Sequence, residues 1–359
     1  MSREKARPDI GLWGDTRIAR GESAEVHVSL TESFSGSEIQ IPLYVWRASE
    51  PGPTVFVTAA VHGDEINGTG AIRHIIIERP FKLKAGALIL VPVVNILGFE
   101  RHTRYLPDRR DLNRSFPGTS KGSLASRMAS VIFEEIVRRA DYGIDLHTAA
   151  IRRTNFPNVR ADMSDPTLAK LARAFGASLI VSGKGPAGSL RKSACSAGVP
   201  TLILEAGEIW KVEPAVLEYA VRGIRNCLIH LGMVKGKISE PPYRVETDAT
   251  HWVRAQYGGF LQFHVAPGDI VSKGQPISTN TSLTGAEQNT EHAPRDGVVV
   301  GMTTLPAVAP GDPICHLAYT KKGGLRKIEK AVEELSGDSL HERIKEDLSK
   351  NLMLDEGDG

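Results

Sequence analysis

Two histidines and two glutamates have the residue types and spacing of a hydrolytic metal site. His62 and Glu65 stand three residues apart in VTAAVHGDEINGTG, and His147 and Glu205 follow much further along the chain. A catalytic zinc site takes three protein ligands, keeps one position open for water, and needs a base nearby. His62, Glu65 and His147 would supply the ligands, and Glu205 the carboxylate that takes the proton. Alone, His62 and Glu65 also fit an ordinary polar turn before a helix, but the other residues in order favour the metal site.

The segment RHTRYLPDRRDLNRSFPG, residues 101–118, is rich in arginine and aspartate. Arginine binds carboxylates through two parallel hydrogen bonds, so this loop favours a substrate with a free carboxylate. Arg104 is a candidate to face a carbonyl oxygen on which negative charge develops. The alternative for Arg104 is a structural ion pair with Asp108 or Asp111.

The elements predicted around these residues alternate between strand and helix. GPTVFVTAAVHG reads as a strand that is apolar on both faces, and GTGAIRHIIIERP follows as a helix. DPTLAKLARAFGA predicts a later helix with Asp165 as its N-cap and Pro166 at the first helical position. This alternation predicts an α/β fold with a mostly parallel, mixed sheet flanked by helices. His62, His147 and Glu205 all follow or end predicted strands, and ligands of such sheets bind beyond the carboxyl ends of the strands.

Beyond residue 240 the sequence changes to short β-like runs with many glycines and threonines. VAPGDIVSKGQPIS (265–278) is echoed by AVAPGDPICHLA (307–318), which predicts a small barrel or sandwich. The turns resemble those of lipoyl- and biotinyl-type carriers, but the stretch between the repeats has no lysine to carry a cofactor. We therefore expect a β domain that narrows access to the cleft.

We divide the chain into a catalytic domain at 1–238, a C-terminal β domain at 239–320 and a charged tail at 321–359. The tail predicts an amphipathic helix or a loosely docked segment, and its last residues, DEGDG, suggest disorder.

The composition argues against several classes of partner. Lys and Arg number 44 against 42 Asp and Glu, so the net charge of +2 gives no reason to expect nucleic acid or a membrane surface as the partner. Three widely spaced cysteines suggest reduced thiols, and the polar N-terminus shows no secretory signal. We expect a cytoplasmic protein without a membrane span, and leave open whether it forms a homo-oligomer.

Five short motifs occur in an order typical of one enzyme family. They are HGDE (62–65), TRY (103–105), DLNR (111–114), DLHT (145–148) and LEAG (204–207). Together they resemble the succinylglutamate desuccinylase/aspartoacylase family, a branch of the zinc carboxypeptidase superfamily. The resemblance implies a carboxypeptidase-like catalytic domain followed by a C-terminal β domain, and hydrolysis of small N-acylated amino acids.

The resemblance also implies roles for individual residues. His62, Glu65 and His147 would bind one zinc ion, and Glu205 would activate water and then protonate the leaving amine. Arg104 would polarise the scissile carbonyl. The substrate carboxylate would be held by the adjacent pair Asn113 and Arg114.

Three alternatives stay open on the sequence. A zinc carboxypeptidase that trims peptides would use the same ligands, although the β domain is expected to crowd its cleft. A binding protein with structural zinc is disfavoured, because structural sites usually have four protein ligands and no spare base. Arg152 and Arg153 are either a second carboxylate-binding site, for the acyl group, or a solvated basic turn.

Overall fold

A mixed sheet of thirteen strands forms the centre of the protein in the computed structural model, which describes residues 8–33, 35–320 and 324–354. The strands of the N-terminal two-thirds are β1 (Leu12–Trp13), β2 (Thr16–Arg17), β3 (Ser23–Glu32), β4 (Glu38–Arg47), β5 (Glu50–Ala59), β6 (Ala85–Val91), β7 (Tyr142–His147), β8 (Arg153–Ala161), β9 (Leu179–Ser182) and β10 (Thr201–Gly207). The later strands are β11 (Val245–Thr247), β12 (Thr250–Arg254), β13 (Gly259–Phe263), β14 (Ile270–Val271), β15 (Pro276–Thr281), β16 (Glu287–His292), β17 (Gly297–Thr303), β18 (Ala307–Val308) and β19 (Pro313–Tyr319).

Helices pack against both faces of the sheet, as expected for strands that are apolar on both sides. They are α1 (Asn67–Glu78), α2 (Ile96–Phe99), α3 (Leu124–Glu135), α4 (Pro166–Ala174), α5 (Leu190–Ser196), α6 (Pro214–His230), α7 (Leu325–Glu333) and α8 (Leu340–Ser349). Short 3-10 turns cover Leu112–Arg114 and Val137–Arg139. None of the helices in the described residues is long and apolar enough to cross a bilayer.

The main path of the large sheet runs β12-β19-β17-β8-β10-β7-β5-β6-β4-β3. Strands β10, β7, β5 and β6 pair in parallel at its centre, and the strands on both flanks pair antiparallel. The predicted α/β class with a mixed sheet is therefore confirmed, and the parallel pairs on this path are confined to the strands around the site. Within the central register, Glu205 is the direct neighbour of His147.

Local sequence signals explain where the helices begin. The Ser123 side chain accepts a hydrogen bond from Ser126 N at the start of α3, and Asp165 accepts from Thr167 N and Leu168 N at the start of α4. Pro166 occupies the first helical position, where the absence of its N–H costs nothing. The predicted N-cap of α4 is confirmed by this geometry.

Strand β8 was not predicted from the sequence. It contains Pro157 and the buried Asn155 and Asn158, which interrupt the apolar pattern of a central strand. It nonetheless pairs antiparallel with β10 and with β17. Because β17 and its neighbours come from beyond residue 239, the large sheet continues past the proposed boundary near residue 238, and the division into three parts stays a prediction.

The C-terminal strands that do not join the large sheet form a small antiparallel sheet in the order β16-β15-β13-β18. The repeated Ala-Pro-Gly-Asp segments form the same turn. Asp269 accepts a hydrogen bond from Ala266 N, and Asp312 accepts one from Ala309 N, each at 2.8 Å. The repeat seen in the sequence is thus a repeat of turn geometry.

The tail packs on the body of the protein through α8. Ile344 and Leu348 are fully buried, and Asp347 accepts a hydrogen bond from Ala215 N in the first turn of α6. Lys345 makes an ion pair with Asp269 at 2.7 Å, so the helix contacts both parts of the chain. The prediction of disorder for DEGDG concerns residues 355–359, which lie outside the described residues.

His341 at the start of α8 links the docking of the tail to pH. Its ring packs edge-on against Phe156 and Tyr243, at centroid distances of 5.2 and 5.9 Å. Burial lowers the pKa of His341 to about 4, with Lys345 acting in the same direction and Glu342 and Asp269 opposing it. Between about pH 6.5 and pH 4, the His341 ring is therefore protonated in the unfolded chain but neutral in the folded chain.

Replacing His341 by phenylalanine is expected to reduce the loss of stability in mild acid. The free energy of unfolding contributed by His341 should fall by about 2 kcal/mol between roughly pH 7.5 and pH 5, and phenylalanine keeps the ring contacts without the proton. Urea unfolding at both pH values measures the difference, with His27→Phe at an exposed position of β3 as the control. Equal acid sensitivity of His341→Phe and the unmutated chain would contradict this account.

Candidate metal centre

His62 and Glu65, which follow β5, converge with His147, the last residue of β7. Glu65 Oε1 lies 2.6 Å from His62 Nδ1, and Glu65 Oε2 lies 2.8 Å from His147 Nδ1. All three side chains are buried, and one donor atom from each lies within 4.8 Å of the others. Two imidazole nitrogens and a carboxylate oxygen are the donors that zinc prefers in hydrolytic sites. The three residues therefore form a buried metal-binding triad.

The electrostatics of the triad place a negative charge between the two rings. Burial opposes ionisation of the Glu65 carboxyl, but the imidazoles of His62 and His147 hold its pKa well below its usual range. Burial likewise opposes protonation of His147, yet the carboxylates of Asp145 and Glu65 raise the pKa of His147 well above its usual value. A metal cation would take over this role of compensating the buried carboxylate.

Two further carboxylates orient the histidine rings. Asp145 Oδ2 lies 2.8 Å from His147 Nε2, and Asp145 is itself fixed by Thr58, whose Oγ1 donates to Asp145 Oδ1. Asp111 Oδ1 lies 3.2 Å from His62 Nε2. A carboxylate on the far nitrogen fixes the ring so that the near nitrogen faces the metal. From the sequence, Asp111 was considered only as an ion-pair partner of Arg104 and Asp145 was given no role, although the two aspartates stand inside the DLNR and DLHT motifs.

The backbone near His62 is shaped by close contact with the next loop. Strand β5 ends at Ala59, and Ala60 turns the chain with a left-handed φ of 49°. A Cβ atom on Gly63 would collide with the backbone of Gly98 and Phe99, so only glycine fits at the position that follows His62. This contact brings α2, which follows β6, close to the first ligand.

A cavity of about 300 Å³ opens over the triad and contains Glu205. The Glu205 carboxylate accepts a hydrogen bond from Asn155 Nδ2 at 3.3 Å and lies 3.8 Å from Arg160 Nε. Both partners come from β8, the strand that was not predicted from the sequence. Glu205 is thus held in the metal cavity without belonging to the triad.

Comparison with known proteins agrees with this geometry. Residues 51–231 match the succinylglutamate desuccinylase/aspartoacylase catalytic domain. The chain is also 30% identical to the N-alpha-acetyl-L-2,4-diaminobutyric acid deacetylase of Halomonas elongata over 305 residues, which cover 81% of this chain and 89% of that enzyme. The chain belongs to the succinylglutamate desuccinylase/aspartoacylase family. It is a metal-dependent deacylase, and the family resemblance stated above is confirmed.

Solved structures share the fold of this deacylase. The product-bound ectoine utilization protein EutE (DoeB) of Ruegeria pomeroyi superposes with a TM-score of 0.72 at 24% identity, covering 82% of this chain and 95% of its own. A succinylglutamate desuccinylase/aspartoacylase from Rhodobacter sphaeroides gives a TM-score of 0.70 at 26% identity, with coverages of 84% and 96%. The architecture is therefore shared well beyond the matched catalytic segment.

Arg104 lines the cavity of this deacylase and also makes ion pairs. Its Nη1 lies 3.2 Å from Glu65 Oε1, and its Nη2 lies 3.1 Å from Asp111 Oδ2. Of the two alternatives considered from the sequence, the pair with Asp111 is thus present, while the side chain still borders the cavity. A role in catalysis stays a prediction.

Asn113 and Arg114 also border the cavity, in the turn that follows Asp111. Asn113 Oδ1 accepts a hydrogen bond from Leu190 N, so the side-chain N–H groups of Asn113 are not used in this contact. Arg114 is exposed and donates from Nη1 to the carbonyl oxygen of Asn113 at 2.7 Å. The structure brings both residues to the site, and their role in binding substrate stays a prediction.

Several cavity residues of the deacylase were missed or left open from the sequence. Arg191 on α5 was not considered, and it is buried with Nε and Nη1 lacking hydrogen-bond partners in the described part of the chain. Trp252 and His316 come from the C-terminal strands. Of the two arginines after His147, Arg153 lines the cavity, whereas Arg152 is exposed and its backbone carbonyl accepts hydrogen bonds from Thr303 and Thr304.

Proposed function

We propose that this deacylase hydrolyses the amide bond of a small N-acyl amino acid with the help of one zinc ion and a glutamate base. The observation that carries the proposal is that the buried triad and the separate carboxylate of Glu205 share one cavity. A structural metal site would have no such spare base facing open volume. A cavity of about 300 Å³ suits a small molecule rather than a folded protein segment.

His62, Glu65 and His147 would hold the zinc ion. When bound there, zinc polarises the amide carbonyl and lowers the pKa of a water molecule to about 7. Glu205 would remove the proton from the attacking water and deliver it to the nitrogen of the leaving amine. Its contacts with Asn155 and Arg160 would keep the carboxylate directed into the cavity.

Three polar side chains of the loop before α3 would position the substrate. Arg104 would donate to the carbonyl oxygen as negative charge develops on it, because its guanidinium borders the cavity beside Glu65. Asn113 and Arg114 would hold the free carboxylate of the amino acid. Among the described residues, the Asn113 amide N–H groups and the outer N–H groups of Arg114 have no protein acceptor, which supports this role.

The Halomonas relative supports the substrate class, since its name describes removal of an acetyl group from an amino acid. The alternative considered from the sequence, a carboxypeptidase acting on peptides, would use the same ligands. Trp252 and His316 from the C-terminal strands close one wall of the cavity, which disfavours a longer peptide chain. We therefore retain the N-acyl amino acid as the substrate.

The test is hydrolysis of a panel of N-acetyl and N-succinyl amino acids beside dipeptides and tetrapeptides, with metal-quantified protein. We expect turnover of one or more acyl amino acids, abolished by chelator and restored by zinc. Faster hydrolysis of the tetrapeptides would favour the carboxypeptidase. Full activity after complete removal of metal would overturn the proposed mechanism.

A further inference from the structure

Strand β8 changes one of its neighbours halfway along its length. Residues 153–155 pair with β17 from the C-terminal part of the chain, whereas residues 158–161 pair with β9. Phe156 and Pro157 lie between the two halves, and Pro157 has no N–H for a ladder hydrogen bond. On its other side β8 pairs with β10, and Glu205 in β10 is the register partner of Asn158. The junction therefore lies beside the proposed base.

A β-bulge marks this junction in the pairing of β8 with β10. Glu205 is opposite Asn158, and Gly207 is opposite Asn155, so β8 contains one residue more than β10 over this stretch. Side chains of a regular strand alternate between the two faces of the sheet. An extra residue shifts that alternation by one position, so the side chains beyond the bulge change faces.

The bulge brings Asn155 and Arg160 to the same face of β8. Their positions differ by an odd number, so in a regular strand they would point to opposite faces. Both nevertheless line the metal cavity, where Asn155 Nδ2 lies 3.3 Å and Arg160 Nε 3.8 Å from the Glu205 carboxylate. Phe156 and Val159 also differ by an odd number, and both belong to one buried apolar cluster. The two contacts with Glu205 therefore depend on the bulge.

The side chain of Asn158 stabilises the bulge from inside the sheet. It is completely buried and does not border the cavity. Its Nδ2 donates to the carbonyl oxygen of Phe156 at 2.9 Å and to that of Glu205 at 3.4 Å. Its Oδ1 accepts from Arg160 Nε at 3.3 Å. One amide thus joins the bulged backbone, the backbone of the proposed base and the arginine beside that base, and these hydrogen bonds compensate the burial of a polar group.

We infer that Asn158 is a positioning residue for Glu205: its amide maintains the β8 bulge and thereby holds Asn155 and Arg160 against the carboxylate. This inference rests on the proposed function, because Glu205 is the base of that reaction. Asn158 does not touch the substrate or the reacting atoms and acts through Glu205. Because a displacement of about 1 Å can cost roughly 100-fold in rate, removal of this amide should be visible in turnover.

Asn158→Ala should lower kcat at least about tenfold on the best acyl amino acid of the panel, while KM stays within about threefold and bound zinc stays at about one ion per chain. The reason is that a misplaced base weakens the transition state but leaves the metal ligands and the substrate contacts in place. Asn158→Ser keeps one hydrogen-bond donor and should recover part of the lost kcat. Steady-state kinetics on metal-quantified protein measures these effects.

A double substitution separates positioning of the base from a general effect on the protein. If Asn158 acts through Glu205, adding Asn158→Ala to Glu205→Gln should change the residual rate by less than about twofold, because the carboxylate to be positioned is already absent. Two independent defects would instead multiply. The rates of the unmutated chain, both single variants and the double variant complete the comparison.

Asn226→Ala is the matched control. Asn226 is also completely buried, and its Nδ2 likewise donates to two backbone carbonyl oxygens, those of Phe175 and Ser239, at 3.2 and 3.0 Å. It lies on α6 and does not line the metal cavity. Its variant should lose thermal stability to a similar extent as Asn158→Ala, because the same kind of buried hydrogen bond is removed, but should keep kcat within about twofold.

Several results would overturn the positioning role. They are an unchanged kcat in Asn158→Ala, loss of its bound zinc, an equal loss of kcat in Asn226→Ala, or multiplying losses in the double variant. Failure of both Asn158→Ala and Asn158→Ser to fold would assign the asparagine to the fold rather than to the base. In each of these cases hydrolysis by the unmutated chain, and its loss in Glu205→Gln, would still support the proposed function. Full activity of Glu205→Gln, or no hydrolysis of any acyl amino acid, would overturn both proposals.

Discussion

Glu205→Gln is expected to lower kcat roughly 100- to 10,000-fold while leaving bound metal unchanged, because the variant loses the proton acceptor and no metal ligand. Glutamine has the shape of glutamate, and its amide oxygen can still accept the hydrogen bond from Asn155 Nδ2. The fold and the cavity should therefore persist. Turnover of the best acyl amino acid, measured beside metal content and thermal melting, separates a lost base from a lost site.

Glu208→Gln is the matched control for this variant. Glu208 lies three residues further along, is buried, and pairs with Lys211 at 2.8 Å outside the metal cavity. It should retain activity within a few fold. If Glu205→Gln also retained such activity, the general base would have to be sought elsewhere in the cavity.

Glu65→Gln is expected to abolish both metal binding and turnover. Glu65 contacts both histidines, so glutamine removes the only negative charge of the triad and leaves an amide between two imidazoles. Bound zinc should fall from about one ion per chain to a small fraction of that after dialysis. Activity should fall at least about 1,000-fold, because the polarisation of the carbonyl and the activation of water are lost together.

Asp64→Asn tests whether this loss is specific to the ligand. Asp64 is the adjacent buried carboxylate, but it is not part of the triad. Its variant should bind about one zinc ion per chain. Metal analysis of both purified variants, with circular dichroism to confirm folding, gives the comparison. Full zinc content in Glu65→Gln would exclude Glu65 as a ligand.

Residue type and motif order are sufficient to predict the ligand set and the fold class. The donors of a zinc site are limited to a few side chains, so histidine and glutamate in HGDE, followed in order by histidine in DLHT, indicate a metal site. Strands and helices of the central sheet are predictable because burial on both faces leaves continuous apolar runs. The caps of α3 and α4 depend only on neighbours in sequence, and Asp165 was predicted correctly for that reason.

The contacts between distant segments were decided by the tertiary structure. Strand β8 provides Asn155 and Arg160, which contact Glu205. Its two asparagines and its proline interrupt the apolar pattern by which a strand is predicted. Its identity as a strand depends on pairing with β10 and β17, which lie far away in sequence.

The sequence by itself was therefore enough to predict the metal-binding triad, the α/β class and the family, because these depend on residue types, motif order and local patterns. Only the folded sheet decided that Glu205 stands beside His147, that Asp145 and Asp111 hold the two histidines, and that Arg153 lies over Trp252. The physical reason is that register between strands is set by packing across the whole sheet, so side chains separated by many residues meet only after the chain has closed on itself.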